Sequence, residues 1–206
     1  MFVYDSTNCP GRSTIFQVKE MEHHVIDDQR LVRLSKYLSK HLRHQPERLG
    51  LKLVSGGWVS VDDLLAACAR HHVPITRAEL DEVVARNDKQ RFAFDASGTL
   101  IRANQGHSVE VDLGLDPVEP PPVLYHGTGE RSADAIMRSG LLPMRRQHVH
   151  LSLDVETATR VGGRHGRPVV FAVDAATMHR TGHRFYRAEN GVWLIDHVPP
   201  EYLRRL

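Results

Sequence analysis

Leu34-Ser-Lys-Tyr-Leu-Ser-Lys-His-Leu-Arg-His44 sets the frame of this 206-residue chain. Leu31, Leu34, Leu38 and Leu42 recur at helical spacing and form one apolar stripe. Asp27 or Asp28 can cap the helix, and Pro46 stops it just past His44. Neighbouring helical residues point about 100° apart, so Leu42 can be buried while Arg43 and His44 flank the stripe. An arginine beside a histidine on a rigid element offers a charged fork for phosphate oxygens and a proton carrier near neutral pH. The same pair also suits a solvated helix end, where cations answer the macrodipole. Two residues do not separate these readings; the rest of the chain has to.

Downstream, Gln45 to Gly57 is broken by Pro46, Gly50, Gly56 and Gly57, with apolar alternation at Leu49, Leu51 and Leu53. Trp58 to Val61 reads as a brief strand, and Asp62 as the cap of a helix turning Val61, Leu64, Leu65 and Cys68 inward. Thr76 caps a third helix with Leu80, Val83 and Val84 inward and Asn87 near its end. Arg91-Phe-Ala-Phe94 and Thr99-Leu-Ile-Arg102 alternate with period two around Asp95-Ala-Ser-Gly98, a hairpin. Three short helices and a hairpin make a winged-helix arrangement over residues 28–108, a scaffold that serves nucleic-acid binding and protein contacts alike. Arg91 opens the hairpin, placed to face the same cleft as Arg43 and His44.

Pro117 to Pro122 is proline-rich and acidic, so 109–122 reads as a semi-rigid linker. Beyond it, Val123 to Tyr125 is a strand, and Ser132 opens a helix that uses Ala135 and Ile136 and ends at Gly140. His148 to Ser152, Pro168 to Val173 and Gly191 to Ile195 are further strands, with a helix over Val155 to Val161. Short strands and helices in this mixture make 123–206 a second α+β unit. His126-Gly-Thr128 follows a strand directly, where a ribose or pyrophosphate can approach a backbone lacking Cβ, or where the chain simply turns. Neither the dinucleotide glycine fingerprint nor the P-loop is present. His148 and His150 share one strand face, but no third ligand stands at metal-site spacing, and no metal is expected. Gly162-Gly-Arg-His-Gly-Arg167 is a basic loop, able to cradle phosphate or to serve as a surface turn.

The totals narrow the class. A net charge of +2 does not by itself require a nucleic-acid partner. Only five of the 27 basic residues are lysines, which suits bidentate phosphate recognition and equally an arginine-rich genome. Two cysteines, Cys9 and Cys68, argue against a disulfide framework or a cysteine-based zinc site and favour a reducing cytoplasm. No apolar run is of membrane length and no secretory signal is visible, so neither a membrane nor an obligate protein partner is expected. Residues 1–27 lack periodicity and are broken by Pro10, Gly11 and Ser13, as in a poorly ordered extension.

Together the motifs resemble the RNA 2′-phosphotransferase family, the KptA-type enzymes that remove a 2′-phosphate from RNA using NAD. The similarity runs from about residue 31 to 203 and rests on motifs in one order. These are Leu34-Ser-Lys-x-Leu-Ser-x-x-Leu-Arg-His44, Gly57-Trp-Val-x-Val-Asp62, Arg91-Phe92 and Ile101-Arg-Ala-Asn-Gln-Gly-His-Ser108. They continue as Tyr125-His-Gly-Thr128, Met144-x-Arg-x-His-Val-His-Leu-Ser152, Gly166-Arg-Pro168 and Asn190-Gly-Val-Trp-Leu194.

The resemblance implies a winged-helix RNA-binding lobe followed by an ADP-ribosyltransferase-like lobe that binds NAD as a consumed co-substrate. It places the catalytic set on Arg43, His44, Arg91 and Arg146. His126, His150 and Val192 take the three signature places of the NAD lobe, with Gly127, Thr128, Ser152, Arg164 and Asn190 completing the NAD-binding set. Val192 stands where many protein ADP-ribosyltransferases carry a glutamate, consistent with a phosphate nucleophile that needs no deprotonation. Ala188 departs from an expected serine. Two alternatives remain: an ADP-ribosyltransferase acting on nucleic-acid phosphate ends or protein, and a non-catalytic winged-helix regulator with a degenerate NAD lobe.

Overall fold

Asp27 fixes where the first helix begins: its carboxylate accepts the Arg30 amide at 2.6 Å, and α1 runs Asp28–Arg43. Leu34, Leu38 and Leu42 are buried along it, Arg43 is its last residue and His44 its C-cap. The computed structural model describes residues 26–87 and 89–206, and of the expected extension at 1–27 residues 1–25, with Cys9, lie outside them. Strand β1 (Trp58–Ser60) leads straight into α2 (Val61–Arg70). The cap is therefore Ser60, whose hydroxyl accepts the Asp63 amide at 3.3 Å, rather than Asp62, which falls inside the first turn. Helix α3 (Arg77–Ala85) starts on the expected Thr76, in a reciprocal capping box with Glu79.

Strands β2 (Phe92–Phe94) and β3 (Leu100–Ala103) form the hairpin, and β1 adds antiparallel to β3 to give the order β1-β3-β2. Leu38, Leu42, Leu64, Leu80, Phe92 and Ile101 belong to one apolar cluster shared by these helices and this sheet.

The second half has its own cluster, including Leu124, Leu151, Phe171, Met178, Phe185 and Trp193. In chain order it comprises β4 (Val123–Gly129), α4 (Glu130–Ser139), β5 (Val149–Leu151), α5 (Val155–Gly162) and β6 (Pro168–Asp174). There follow α6 (Ala175–Arg180), β7 (Tyr186–Arg187), β8 (Trp193–Ile195) and β9 (Leu203–Arg205). Two antiparallel sheets result, β4-β6-β9 and β5-β8-β7, and mutual backbone bonds between Tyr125 and Ser152 join them. The fold is α+β, and no helix among the described residues is long and apolar enough to cross a membrane.

Several local expectations change here. His126-Gly-Thr128 lies inside β4, because that strand pairs with β6 through Gly129. Helix α4 consequently begins at Glu130 instead of Ser132, and its register buries Ala133 while Ala135 is exposed. The 162–167 basic segment is no free loop: Gly162 ends α5 and 163–165 is a 3₁₀ turn. Helix α5 lies so close on β4 that a Cβ on Gly162 would stand 2.6 Å from the Thr128 carbonyl oxygen. The proline-rich stretch is stitched to the second half, with the Val118 amide donating to the Phe185 carbonyl at 2.8 Å.

Candidate active site

The end of α1 delivers Arg43 and His44 into the space between the two halves. Arg43 reaches the start of the hairpin, where Nη2 donates to the Arg91 carbonyl at 3.4 Å. Arg91 is held in turn by Asn87, whose Oδ1 accepts from Nη1 at 2.9 Å. Arg146 comes from the opposite half, on the segment before β5, with Nη1 3.4 Å from His150 Nδ1. Its side chain keeps solvent access, yet the surrounding protein is dense enough to lower its pKa.

Burial pushes Arg43 down to about 10, and its neighbours Arg91 and Arg146 act in the same direction. Among the described residues, the charged groups perturbing Arg43 are cations. Arg43 Nε is also buried without a hydrogen-bond partner among the described residues. His44 is lowered by burial and then by Arg43 and Arg146, and its Nδ1 lies 2.9 Å from Ser108 Oγ. Arginines far apart in sequence thus gather with one imidazole, an arrangement that suits an anion.

Behind Arg146 stand two histidines. His126 Nδ1 donates to the His150 carbonyl at 3.0 Å, which fixes its tautomer. Burial, reinforced by Arg146 and Arg43, takes His150 to about 3, and its Nε2 is buried with no hydrogen-bond partner among the described residues. A neutral imidazole with an orphaned nitrogen suits a polar ligand group. Ser152 sits in the backbone bridge to Tyr125, beside this pair. Val192 is half-buried, its carbonyl accepting the amide of buried Ala188 at 2.9 Å.

Other expected residues lie apart from this cluster. Gly127 and Thr128 face α5: a Cβ on Gly127 would fall 1.7 Å from the Ala158 carbonyl oxygen, so a helix backbone already occupies that close approach. Arg164 is exposed on the turn after α5. Asn190 reaches across to the first half, where its Nδ2 donates to the Lys89 carbonyl at 3.1 Å. Among the described residues no group of three or more His, Cys, Asp or Glu side chains could hold a metal ion.

Residues 29–197 match the model of the RNA 2′-phosphotransferase, Tpt1/KptA family. The chain belongs to this family. It is similar to a probable RNA 2′-phosphotransferase of Trichormus variabilis, 64% identical over 181 residues, covering 88% of this chain and 100% of that one. A probable RNA 2′-phosphotransferase of Streptomyces coelicolor is 63% identical over 179 residues, covering 87% and 97%. One from Agrobacterium fabrum is 56% identical over 169 residues, covering 82% and 91%. Family membership makes the chain an enzyme, a transferase.

For a phosphotransferase, the segment after β3 supplies more than the sequence reading gave it. Ser108 holds His44, and Gly106, at φ +88°, lets the backbone pass within 3.7–3.9 Å of the Arg43 side chain at its would-be Cβ. His107 between them is 1% exposed, with neither ring nitrogen hydrogen-bonded among the described residues, and burial beside Arg43 takes it to about 4. A glycine set in a run of polar residues between a strand and a linker was the available signal.

These histidines make stability depend on pH. His107 and His150 stay neutral in the native protein down to about 4 and 3, while the unfolded chain takes up their protons near the ordinary value of 6.5. Between those limits the unfolded state binds more protons, so stability falls as pH falls. The limiting slope is about 1.4 kcal/mol per pH unit for each histidine. Urea unfolding at about pH 7.5, 6 and 5 is expected to show progressive loss, and a flat profile across that range contradicts the assignment.

Proposed function

We propose that the chain is an NAD-dependent RNA 2′-phosphotransferase that moves an internal RNA 2′-phosphate to NAD, releasing nicotinamide, RNA with a 2′-hydroxyl and ADP-ribose 1″,2″-cyclic phosphate. The observation that carries this is the gathering of Arg43, Arg91 and Arg146 around one imidazole, with Arg91 and Arg146 both acting on Arg43. Three guanidiniums so placed match the oxygens of a branched phosphate. Residues 28–108 serve as a winged-helix lobe presenting RNA, 109–122 as the linker, and 123–206 as an ADP-ribosyltransferase-like lobe. The setting is the cytoplasm, without an obligate protein partner.

In the first step a 2′-phosphate oxygen bonds to the anomeric carbon of the nicotinamide ribose, and the glycosidic electron pair leaves with nicotinamide. In the second the ribose 2″-hydroxyl bonds to phosphorus, and the RNA 2′-oxygen leaves and is protonated. Arg43, Arg91 and Arg146 hold the phosphoryl oxygens on which charge concentrates, and His44, neutral and oriented by Ser108, exchanges the proton. The orphaned His150 Nε2 fits a polar group of NAD, with His126 and Ser152 beside it. Val192 leaves the ribose without a carboxylate neighbour. Asn190 contributes what its bond to Lys89 leaves free, and Arg164, exposed on the turn after α5, is available to a pyrophosphate.

The test is incubation with an oligonucleotide carrying one internal 2′-phosphate, with and without radiolabelled NAD. Conversion to 2′-hydroxyl RNA is expected only with NAD, with label appearing in the cyclic phosphate. Label that stays on RNA or protein as the end product supports the ADP-ribosyltransferase alternative, and NAD-independent turnover overturns the proposal.

A further inference from the structure

Beyond the clustered arginines, a groove of about 550 Å³ runs along α1 and α3. Lys36, Lys40 and His44 line it at four-residue intervals on α1. Each step is one turn, about 6 Å at 1.5 Å per residue. That is close to the separation of neighbouring phosphates in an extended nucleic-acid strand. Arg43 and Arg91 stand at the His44 end. Opposite lie Val83 and Asn87, with Leu31 and Val32 adding apolar surface.

The charge balance is one-sided. No acidic side chain lines the groove among the described residues. Arg86, on the α3 side, is neutralised by Glu82 at 2.6 Å and by Asp28. Lys36 and Lys40 are exposed and form no ion pair among the described residues. Cations in single file beside an apolar strip suit one strand, with phosphates on one side and sugars or bases on the other.

We propose that this groove carries the RNA away from its branched nucleotide as a single strand, with the next two backbone phosphates at Lys40 and Lys36. The assignment rests on the reading of Arg43, His44 and Arg91 as the 2′-phosphate site, and it adds a direction and a length to substrate recognition.

The experiment measures binding of the full chain to oligoribonucleotides bearing one internal 2′-phosphate, extended stepwise on the 5′ side or the 3′ side. Affinity is expected to rise about tenfold over two added nucleotides on one side only, then level off, as two exposed ion pairs supply. The Lys36→Ala/Lys40→Ala double variant keeps a strong helix former at both positions. It is expected to lose the length dependence and to lower the slope of log Kd against log salt by about 0.7 per lysine. Lys36→Arg/Lys40→Arg is expected to keep both. No length dependence in the wild type, or full retention in the double alanine variant, overturns the proposal. Turnover of a 2′-phosphorylated dinucleotide with NAD, run in parallel, separates the two failures. Its absence removes the phosphate-site reading, whereas turnover without length dependence removes only the track.

Discussion

Arg146→Ala protein is expected to release nicotinamide and then stall, leaving ADP-ribosylated RNA phosphate as its main product. The two steps make different demands on the guanidiniums. In the first, the phosphate supplies electrons to carbon, and its negative charge declines. In the second, phosphorus is attacked, and charge concentrates on the oxygens around it. Arg43 and Arg91 arrive together from the first half of the chain, joined at 3.4 Å. Arg146 arrives alone from the segment before β5, next to His150. Removing it leaves the phosphate held on one side and bare on the side nearest the proposed ribose. One preorganised donor lost from a shielded site typically costs 10²–10³-fold, and that loss is expected in the second step. Arg146→Lys, which restores charge but not the planar fork, is expected to recover only part of the rate. Gel separation of the RNA species over a time course, with nicotinamide followed in parallel, reads both steps. Unchanged turnover, or equal slowing of both steps without accumulation, would rule out the assignment.

What could be read ahead of the structure was local, or carried by motifs in order. Asp27 and Thr76 announce helix starts because a cap acts over three residues. The Asp95–Gly98 turn announces its hairpin for the same reason. The pairing of Arg43 with Arg91 was partly legible, since a helix end and a strand start within one small unit have few places to go. The arrival of Arg146 was legible only through the resemblance, because it depends on how the two halves pack. His107 stood in a motif of the resemblance without a role of its own: its importance lies in burial beside Arg43, which only the packed structure creates. Helix boundaries slipped where a strand runs directly into a helix, at Ser60 and at Gly129, since neither propensity nor periodicity marks a junction without a loop. Gly127 was read for a close approach to its backbone, and the structure supplies a second occupant for that approach, α5. A glycine signals that something approaches the backbone, and its sequence neighbours do not say what.

That ambiguity can be settled, because the two occupants predict different losses for Gly127→Ala. An added Cβ would stand 1.7 Å from the Ala158 carbonyl oxygen, 2.5 Å from its carbon and 3.0 Å from its Cα. All three are backbone atoms of α5, so no rotamer change relieves the clash. Helix α5 would have to lift from β4, and the contact of Gly162 with Thr128 would open with it. Overpacking in a core usually costs about 1–3 kcal/mol. With rigid backbone on both sides, the loss here is expected at or above roughly 3 kcal/mol, large against the whole stability of a small protein. Gly163→Ala, one residue beyond α5, is the control. Its backbone is already right-handed helical at φ −60°, ψ −16°, and a Cβ there meets nothing within 4 Å. That variant is expected to be unchanged or more stable by about 0.5 kcal/mol, through a less flexible unfolded chain. Urea midpoints for the two variants decide the matter. If Gly127→Ala unfolds like the wild type while its Michaelis constant for NAD rises, the glycine serves the dinucleotide; a collapse in midpoint, with Gly163→Ala untouched, means that α5 is what needs the missing side chain.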